Sequence, residues 1–227
     1  MSRVACVTGA NRGIGLELSK QLSQGGYQVY ALCRQASDAL QQISSISIIT
    51  GVDVSSWEAI HNAYQKLKDQ IPSVDLLINN AAIYQSIALE NLNPSAIQDI
   101  KDQFYTNALG PLMLTAAFSP LLKRGSKVIL ISSRMGSIAD NSSGGHYGYR
   151  MSKSALNAAG KSMAIDFKEK GIAVGILHPG WIKTQMTGYI GNDTPPLAAQ
   201  QLIERIDNLN LDNTGTFWHA QGQTLLW

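Results

Sequence analysis

The chain has 227 residues, of which 44% are hydrophobic and 15% are charged, and its formal net charge is +2. This length and apolar content suit one α/β domain with a sizeable core, and the scattered basic residues lack the clustering of a nucleic-acid-binding protein. The longest helical apolar stretch, residues 111–122, is too short to span a bilayer. We therefore expect a cytoplasmic protein that binds neither nucleic acid nor membranes.

Short apolar runs alternate with longer helical patterns along the chain. The apolar runs predict seven strands, at residues 4–7, 27–32, 47–49, 74–78, 127–131, 173–177 and 216–219. The helical patterns predict helices at 14–24, 55–70, 94–123, 149–170 and 196–208. Several strands are too apolar to have a solvated face, which indicates a buried parallel sheet. The pattern predicts one α/β domain over residues 1–227, with a doubly wound sheet and helices on both faces.

The turn after the first strand contains three glycines, Gly9, Gly13 and Gly15. Glycine allows backbone to pass close to a neighbour, and a helix that starts near Ile14 would offer free N–H groups and partial positive charge at the turn. These features suit a phosphate, so the pyrophosphate of a dinucleotide is the first candidate ligand. In a doubly wound sheet such a ligand lies beyond the carboxyl ends of the strands.

The cysteines and two of the histidines have simpler interpretations. Cys6 and Cys33 fall on neighbouring predicted strands, where free cysteine behaves as a small buried hydrophobe, so we interpret both as reduced packing residues. His146 and His178 have no metal-ligating partner at a suitable spacing, so we interpret both as packing or pocket-lining residues. We assign no metal.

Five motifs occur in one order along the chain. They are T-G-x-x-x-G-x-G in the first turn, NNAA at 79–82, ISS at 131–133, Y-x-x-x-K at 149–153 and PGWIKT at 179–184. In this combination the chain resembles the short-chain dehydrogenase/reductase family. Its small size and the ending FWHAQGQTLLW resemble the branch that contains the C-factor proteins and small carbonyl reductases. The resemblance implies a Rossmann-like domain that binds NAD(P) and a homodimer or homotetramer.

The Y-x-x-x-K motif predicts an acid/base pair. A four-residue spacing puts Tyr149 and Lys153 on one helix face, where a lysine cation and an oxidised nicotinamide would lower the tyrosine pKa from its ordinary value near 10. Tyr147 competes for this role, but the residue four positions after it is Met151. We therefore assign the acid/base role to Tyr149.

Two further polar residues complete the predicted catalytic set. Ser132 and Ser133 end the fifth predicted strand, and the family resemblance favours Ser133 as the hydroxyl that binds the substrate oxygen. The resemblance also implies that Asn107 supports a water-linked proton path to Lys153. The structural alternative for either serine is that it caps the strand, and the alternative for Asn107 is that it is a surface polar residue of a helix. Asparagine is a poor helix former, which favours a functional role for Asn107.

The end of the second strand indicates the cofactor. An NAD enzyme of this fold usually has an acid about 20 residues beyond the glycines, but this chain has Arg34 there. Arg12 in the glycine turn is a second candidate partner for a 2′-phosphate, since guanidinium groups bind phosphate through paired hydrogen bonds. Asp38 could act as the acid only if the strand were four residues longer. The arginines therefore predict NADP(H).

The remaining cofactor contacts are implied by the resemblance alone. Asp53 is expected to bind the adenine amino group with Val54 beside it, and the nicotinamide side is assigned to residues that follow the sixth strand. The family usually has glycine where this chain has Ala82. The full set of assigned contacts outside the acid/base pair is Gly9, Asn11, Arg12, Gly13, Ile14, Gly15, Arg34, Asp53, Val54, Asn80, Ala81, Pro179, Gly180, Ile182 and Thr184.

Pro111 lies four residues after Asn107 within a predicted long helix. Proline has no N–H for the carbonyl of residue 107, at a cost of roughly 3 kcal/mol, so we expect a kink or bulge there. The alternative is that Pro111 starts a separate helix and Asn107 lies in a loop. If the helix is continuous, the freed carbonyl could hold a water that extends the proton path.

Together these residues predict an NADPH-dependent enzyme that reduces an aldehyde or ketone to an alcohol. Residues 185–196 form a short segment that includes Met186, Tyr189 and Ile190, which suggests an apolar, open substrate pocket. The alternative function is a non-catalytic signalling or regulatory protein that binds a dinucleotide.

Overall fold

Seven parallel strands form one sheet in the order β3-β2-β1-β4-β5-β6-β7. The computed structural model describes residues 3–227. Its strands are β1 Val4–Thr8, β2 Gln28–Leu32, β3 Ile46–Ile49, β4 Val74–Asn79, β5 Leu122–Ile131, β6 Ala173–His178 and β7 Phe217–His219. Strand order reverses between β1 and β4, which is where a doubly wound sheet binds its ligand. The predicted fold class is confirmed.

Helices cover both faces of the sheet. They are α1 Gly13–Gln24, α2 Asp38–Gln41, α3 Trp57–Lys68, α4 Pro94–Phe104, α5 Gly110–Phe118, α6 Tyr147–Lys168 and α7 Pro195–Asp207. Alternate strand residues point to opposite faces. Cys6 therefore packs with α3, α5 and α6, whereas Val7 packs with α1 and α7. Cys6 and Cys33 are both free and buried.

Helix starts follow local hydrogen-bonding chemistry. Ser37 and Ser56 accept backbone N–H groups at the starts of α2 and α3, and Asn93 does so at the start of α4 with Pro94 in the first turn. The short helix α2 was not predicted. None of the helices within residues 3–227 has the length and apolar character that crossing a bilayer requires.

The predicted helix over 94–123 is interrupted and ends early. A five-residue π-helical turn, Tyr105–Leu109, joins α4 directly to α5, so the helical path through Asn107 and Pro111 is continuous and the expected bulge is confirmed. Pro111 has no N–H for a regular α-helical hydrogen bond, and the wider π-helical turn allows the helix to continue without that bond. The prediction was wrong at its end, because α5 stops at Phe118 and a short 3₁₀ turn leads into β5, which begins at Leu122.

Candidate active site

The glycine turn is packed too closely for any side chain at its key positions. Gly9 and Gly13 have φ values of +64° and +55°. A Cβ on Gly15 would lie 2.3 Å from the Gly9 carbonyl oxygen, and one on Gly9 would lie 2.9 Å from the Cα of Ala81. The turn therefore needs glycine at positions 9 and 15, and it leads straight into α1, whose N-terminal N–H groups are of the kind that bind a phosphate.

Hydrogen bonds fix the glycine turn to the end of β4. The Thr8 hydroxyl accepts the N–H groups of Asn80 (3.0 Å) and Ala81 (3.1 Å), and the Asn80 amide donates to the Thr8 carbonyl at 2.9 Å. Thr8 was not predicted, although it directly precedes Gly9 in the TGxxxGxG motif. Asn80 and Ala81 therefore stabilise the glycine turn through their hydrogen bonds to Thr8.

Arg12 and Arg34 are both at the carboxyl edge of the sheet near the glycine turn. Arg34 follows β2 and is exposed, and its charge acts on Asp53 after β3. Burial opposes ionisation of Asp53, but hydrogen bonds from Ser55 and the positive charge of Arg34 outweigh it and lower the carboxyl pKa. Because β2 ends at Leu32, Asp38 starts α2 instead of extending the strand.

The segment after β6 covers the glycine turn from the opposite side. A Cβ built on Gly13 would contact the Thr184 methyl at 3.4 Å, and the Arg12 guanidinium donates to the side chain of Gln185. Gly180 has a φ of +100°, which favours glycine, and Ile182 beyond it is buried. Val54 is also buried, next to Gly110 of α5. The predicted cofactor residues follow the carboxyl ends of β1, β2, β3, β4 and β6, which is the edge where a doubly wound sheet has its ligand cleft.

Tyr149, Lys153 and Ser133 meet at the carboxyl end of β5. Tyr149 is 9% exposed, whereas Tyr147 is 40% exposed. The Lys153 ammonium lies 5.7 Å from the Tyr149 ring centroid and donates to the Ile131 carbonyl at 2.8 Å. The Ser133 side chain lies close enough to the Tyr149 phenol to lower its pKa, while the Ser132 hydroxyl points away and donates to Asn157 at 2.6 Å. The geometry thus favours Ser133 and Tyr149 over their neighbours.

Burial dominates the titration of this pair. It raises the pKa of Tyr149 to about 12, against the opposing effect of the Ser133 side chain, and it lowers the pKa of Lys153 to about 7. The expectation that Lys153 lowers the tyrosine pKa is wrong for the polypeptide itself, because desolvation of the phenolate outweighs a lysine whose own charge is disfavoured by burial. Tyr149 is consequently a protonated phenol at neutral pH.

Asn107 is completely buried and binds backbone that is distant in sequence. Its amide oxygen accepts the Ile83 N–H at 2.8 Å, and its amide nitrogen donates to the Ile83 carbonyl at 2.9 Å and to the Ser152 hydroxyl at 3.0 Å. Ser152 in turn donates to the Tyr149 carbonyl at 2.8 Å. Asn107 therefore connects the loop after β4 to the helix that carries Tyr149 and Lys153.

Tyr84, which the sequence did not single out, and His146, which was interpreted as a packing or pocket-lining residue, lie beside Tyr149. The Tyr84 ring packs edge-to-face on Tyr149 with centroids 5.1 Å apart, and its hydroxyl is 2.8 Å from the His146 Nδ1. His146 has a left-handed backbone, with φ +54°, immediately before α6. The position of His146 three residues before Tyr149 in the sequence indicates that it lies near the phenol. Both residues form a wall of the cleft beside the phenol.

The segment between β6 and α7 forms an apolar rim. A bridge between Ile182 and Asp193 closes its base. Four large apolar side chains project from it with at least 41% of their surface exposed, namely Trp181, Met186, Tyr189 and Ile190. The apolar, open substrate pocket predicted from this segment stays a prediction, and these exposed side chains are the ones that would line it.

The histidines do not form a metal centre. Burial, the neighbouring His219 and nearby cations lower the pKa of His178 to about 3, so it stays neutral, and its ring packs edge-on against His219 at 5.0 Å. Within residues 3–227, no three His, Cys, Asp or Glu side chains are grouped closely enough to hold a metal ion.

The chain belongs to the short-chain dehydrogenase family, an oxidoreductase family. The family model described as "short chain dehydrogenase" matches residues 3–195, and this confirms the resemblance drawn from the five motifs.

Individual relatives agree with this membership. The 1-hydroxy-2-glutathionyl-2-methyl-3-butene dehydrogenase of Rhodococcus sp. (strain AD45) is 36% identical over 97% of this chain and 98% of its own length. The C-signal protein of Myxococcus xanthus is 41% identical over 68% of this chain and 93% of its own.

Solved carbonyl reductases have nearly the same fold. The carbonyl reductase Sniffer of D. melanogaster superposes over the whole of both chains with a TM-score of 0.91 and 32% identity. The NADPH-bound carbonyl reductase from chicken fatty liver also has a TM-score of 0.91, with 29% identity over 100% of this chain and 99% of its own.

Proposed function

We propose that this chain is an NADP(H)-dependent carbonyl reductase that converts an aldehyde or ketone to an alcohol. The observation that carries the proposal is the meeting of a buried, protonated Tyr149 with Ser133 and Lys153 beside the glycine turn. A protein that only binds a dinucleotide has no need of this arrangement.

The cleft fits a dinucleotide phosphate. A glycine-rich turn at a helix start suits the pyrophosphate, and the exposed guanidinium groups of Arg12 and Arg34 suit a 2′-phosphate. Asp53 and Val54 are assigned to the adenine, while Ile182 and Thr184 are assigned to the nicotinamide side. The NADPH-bound relative supports this preference.

Ser133, Tyr149 and Lys153 divide the acid/base work. When bound, NADPH supplies a hydride for the carbonyl carbon. Ser133 accepts the Met135 N–H at 3.2 Å, and its own hydroxyl hydrogen is assigned to the substrate oxygen. Tyr149 then transfers its proton to that oxygen, which completes the alcohol. Lys153 is assigned to the ribose and to the return of a proton to Tyr149, and its pKa near 7 suits proton exchange at neutral pH.

Asn107 is assigned to the resupply of protons. Asn107 lies in the π-helical turn, and Pro111 has no N–H for its backbone carbonyl. Its side chain bonds Ile83 and Ser152. A water held by the Asn107 carbonyl would extend the path from Tyr149 through Lys153.

The rim suggests apolar substrates. Trp181, Met186, Tyr189 and Ile190 offer aromatic and aliphatic surface beside the cleft. The Rhodococcus relative, whose name specifies a glutathionyl alcohol, adds one candidate class that is oxidised instead of reduced.

Self-association forms part of the proposal. The outer face of α6 exposes Ala158, Ser162 and Ile165, with Ile165 65% exposed, and small side chains permit close helix pairing. We assign a homodimer or homotetramer on this face.

The second candidate function is a signalling or regulatory protein. The 41% identity to the C-signal protein favours it. The complete Ser133, Tyr149, Lys153 and Asn107 set favours catalysis. Turnover distinguishes the two.

The test compares Tyr149→Phe with its matched neighbour Tyr147→Phe. NADPH oxidation is followed against aldehydes, ketones, quinones and 3-oxoacyl thioesters, and NADP⁺ reduction against a glutathionyl alcohol. We expect Tyr149→Phe to abolish turnover with NADPH affinity within about threefold of wild type, since it removes only a proton donor. Tyr147→Phe is expected to remain active.

Two outcomes would contradict the proposal. Absence of turnover by the wild-type chain across the panel favours the signalling function. An active Tyr149→Phe variant together with an inactive Tyr147→Phe variant would transfer the acid/base role to Tyr147.

A further inference from the structure

The Ser133 hydroxyl lies at the start of a short turn that has few hydrogen bonds within itself. Ser133 precedes the 3₁₀ turn Arg134–Gly136, its hydroxyl accepts the Met135 N–H at 3.2 Å, and its carbonyl accepts the Gly136 N–H at 2.8 Å. Any shift of Met135 therefore moves the group that holds the serine hydroxyl.

Helix α6 holds this turn with three polar residues next to the Tyr149/Lys153 face. Spacings of four and three place Arg150, Ser154 and Asn157 on one side of the helix. Arg150 donates to the Met135 carbonyl at 3.3 Å, and the Gly136 carbonyl accepts from Ser154 at 2.9 Å and from Asn157 at 3.3 Å. The turn is therefore positioned by the helix that carries the acid/base pair.

Close packing makes the attachment rigid. A Cβ on Gly136 would lie 2.8 Å from the Lys153 backbone carbon and 2.9 Å from its Cβ, so the turn rests directly on the lysine. Contact at this distance leaves no room for an intervening side chain.

Arg150 also reaches the far end of the loop between Ser133 and Tyr149. It donates to the Ser143 hydroxyl at 2.8 Å and to the Gly144 carbonyl at 3.2 Å. Its guanidinium thus joins residue 135 to residues 143–144, in a loop whose own residues 140–144 are exposed. Among residues 3–227, no carboxylate lies within ion-pair distance of Arg150, so it acts through hydrogen bonds to neutral oxygens.

We propose that Arg150 is a positioning residue that fixes the Ser133 hydroxyl relative to Tyr149 by clamping both ends of the loop between them. The inference rests on the proposed reductase function for its kinetic readout. It assigns Arg150 no contact with substrate or cofactor.

A double-mutant cycle tests the proposal. Arg150→Met removes the donors but keeps the apolar stem, and we expect it to lower kcat/KM for a carbonyl substrate by about tenfold with NADPH affinity unchanged. In a Ser133→Ala background the same change is expected to alter kcat/KM by less than about twofold, because Arg150 acts through the serine. Arg150→Lys should restore part of the rate. Arg124→Met, at an exposed site on β5, is the matched control.

Equal losses from Arg150→Met in the two backgrounds would overturn the proposal. A readout independent of turnover separates it from the proposed function. Amide hydrogen exchange at Met135 and Gly136 should accelerate in Arg150→Met and not in Arg124→Met. Unchanged exchange refutes the clamp even if the wild-type chain reduces no carbonyl, whereas accelerated exchange in a chain without turnover overturns only the reductase function.

Discussion

Replacement of Asn107 by leucine tests how the loop after β4 is attached to the core. Leucine has the same branched side-chain skeleton as asparagine, with methyl groups in place of the amide oxygen and nitrogen. The change removes both partners of the Ile83 backbone, whose N–H and C=O now bond the same side chain at 2.8 Å and 2.9 Å. It also removes the donor to Ser152 at 3.0 Å.

The magnitude follows from the two backbone groups left without partners. An unsatisfied buried donor or acceptor costs about 1–3 kcal/mol, and Ile83 is only half-buried, so each group falls in the lower part of that range. The expected loss of unfolding free energy is about 3 kcal/mol. In a chain of this size, that loss lowers the melting temperature by roughly 6–12 °C.

Urea unfolding followed by tryptophan fluorescence measures this loss, since the chain contains four tryptophans. Asn62→Leu is the matched control because Asn62 is exposed on α3, and we expect it to change stability by less than about 0.5 kcal/mol. A loss below about 1 kcal/mol for Asn107→Leu would refute the reasoning, because it would mean that water or other groups satisfy the Ile83 backbone equally well.

Two further predictions concern the cofactor and the buried lysine. We expect kcat/KM with NADPH to exceed that with NADH by at least about tenfold. Arg34→Asp should reduce or invert this ratio, whereas Arg124→Asp should leave it unchanged. A wild-type preference for NADH would rule out the assignment of the arginines to the 2′-phosphate. Lys153 should add a rise in unfolding free energy between about pH 7 and 10, because folded Lys153, with its pKa near 7, has lost a proton that the unfolded chain still binds at the ordinary value of 10.5. Burial of the Cys6 thiol raises its pKa to about 12 and opposes this rise above about pH 9, equally in wild type and in Lys153→Met. Urea titrations across this range should give a smaller rise in Lys153→Met, and equal slopes in the two proteins would contradict the lowered lysine pKa.

Local sequence patterns predicted most of the fold and the approximate place of the site. Apolar runs identified the seven strands because a parallel sheet is buried on both faces, and Pro111 indicated the bulge because a missing N–H is a property of the residue itself. The same locality explains the error at the end of the 94–123 helix. Leu121 and Leu122 suit either a helix or a strand, and pairing with β4 decides between them.

Tertiary structure decided which residues of each motif meet. Ser132 and Ser133 are equivalent as a dipeptide, but only the packing of α6 directs Ser132 to Asn157 and leaves Ser133 beside Tyr149. The direction of the tyrosine pKa shift in the polypeptide alone was not predictable for the same reason. The Tyr149/Lys153 spacing is visible in the sequence, whereas desolvation depends on everything packed around the pair.

By itself, the amino-acid sequence determined the family, the order of the elements and the types of group available for chemistry, because these depend on residues close together in the chain. The loop attachments depend on partners that local patterns do not reveal: Asn107 binds a backbone segment 24 residues away, and Ser137 donates to the Trp227 carbonyl 90 residues away. Hydrogen-bond direction and burial are properties of the packed chain, so only the tertiary structure could decide them.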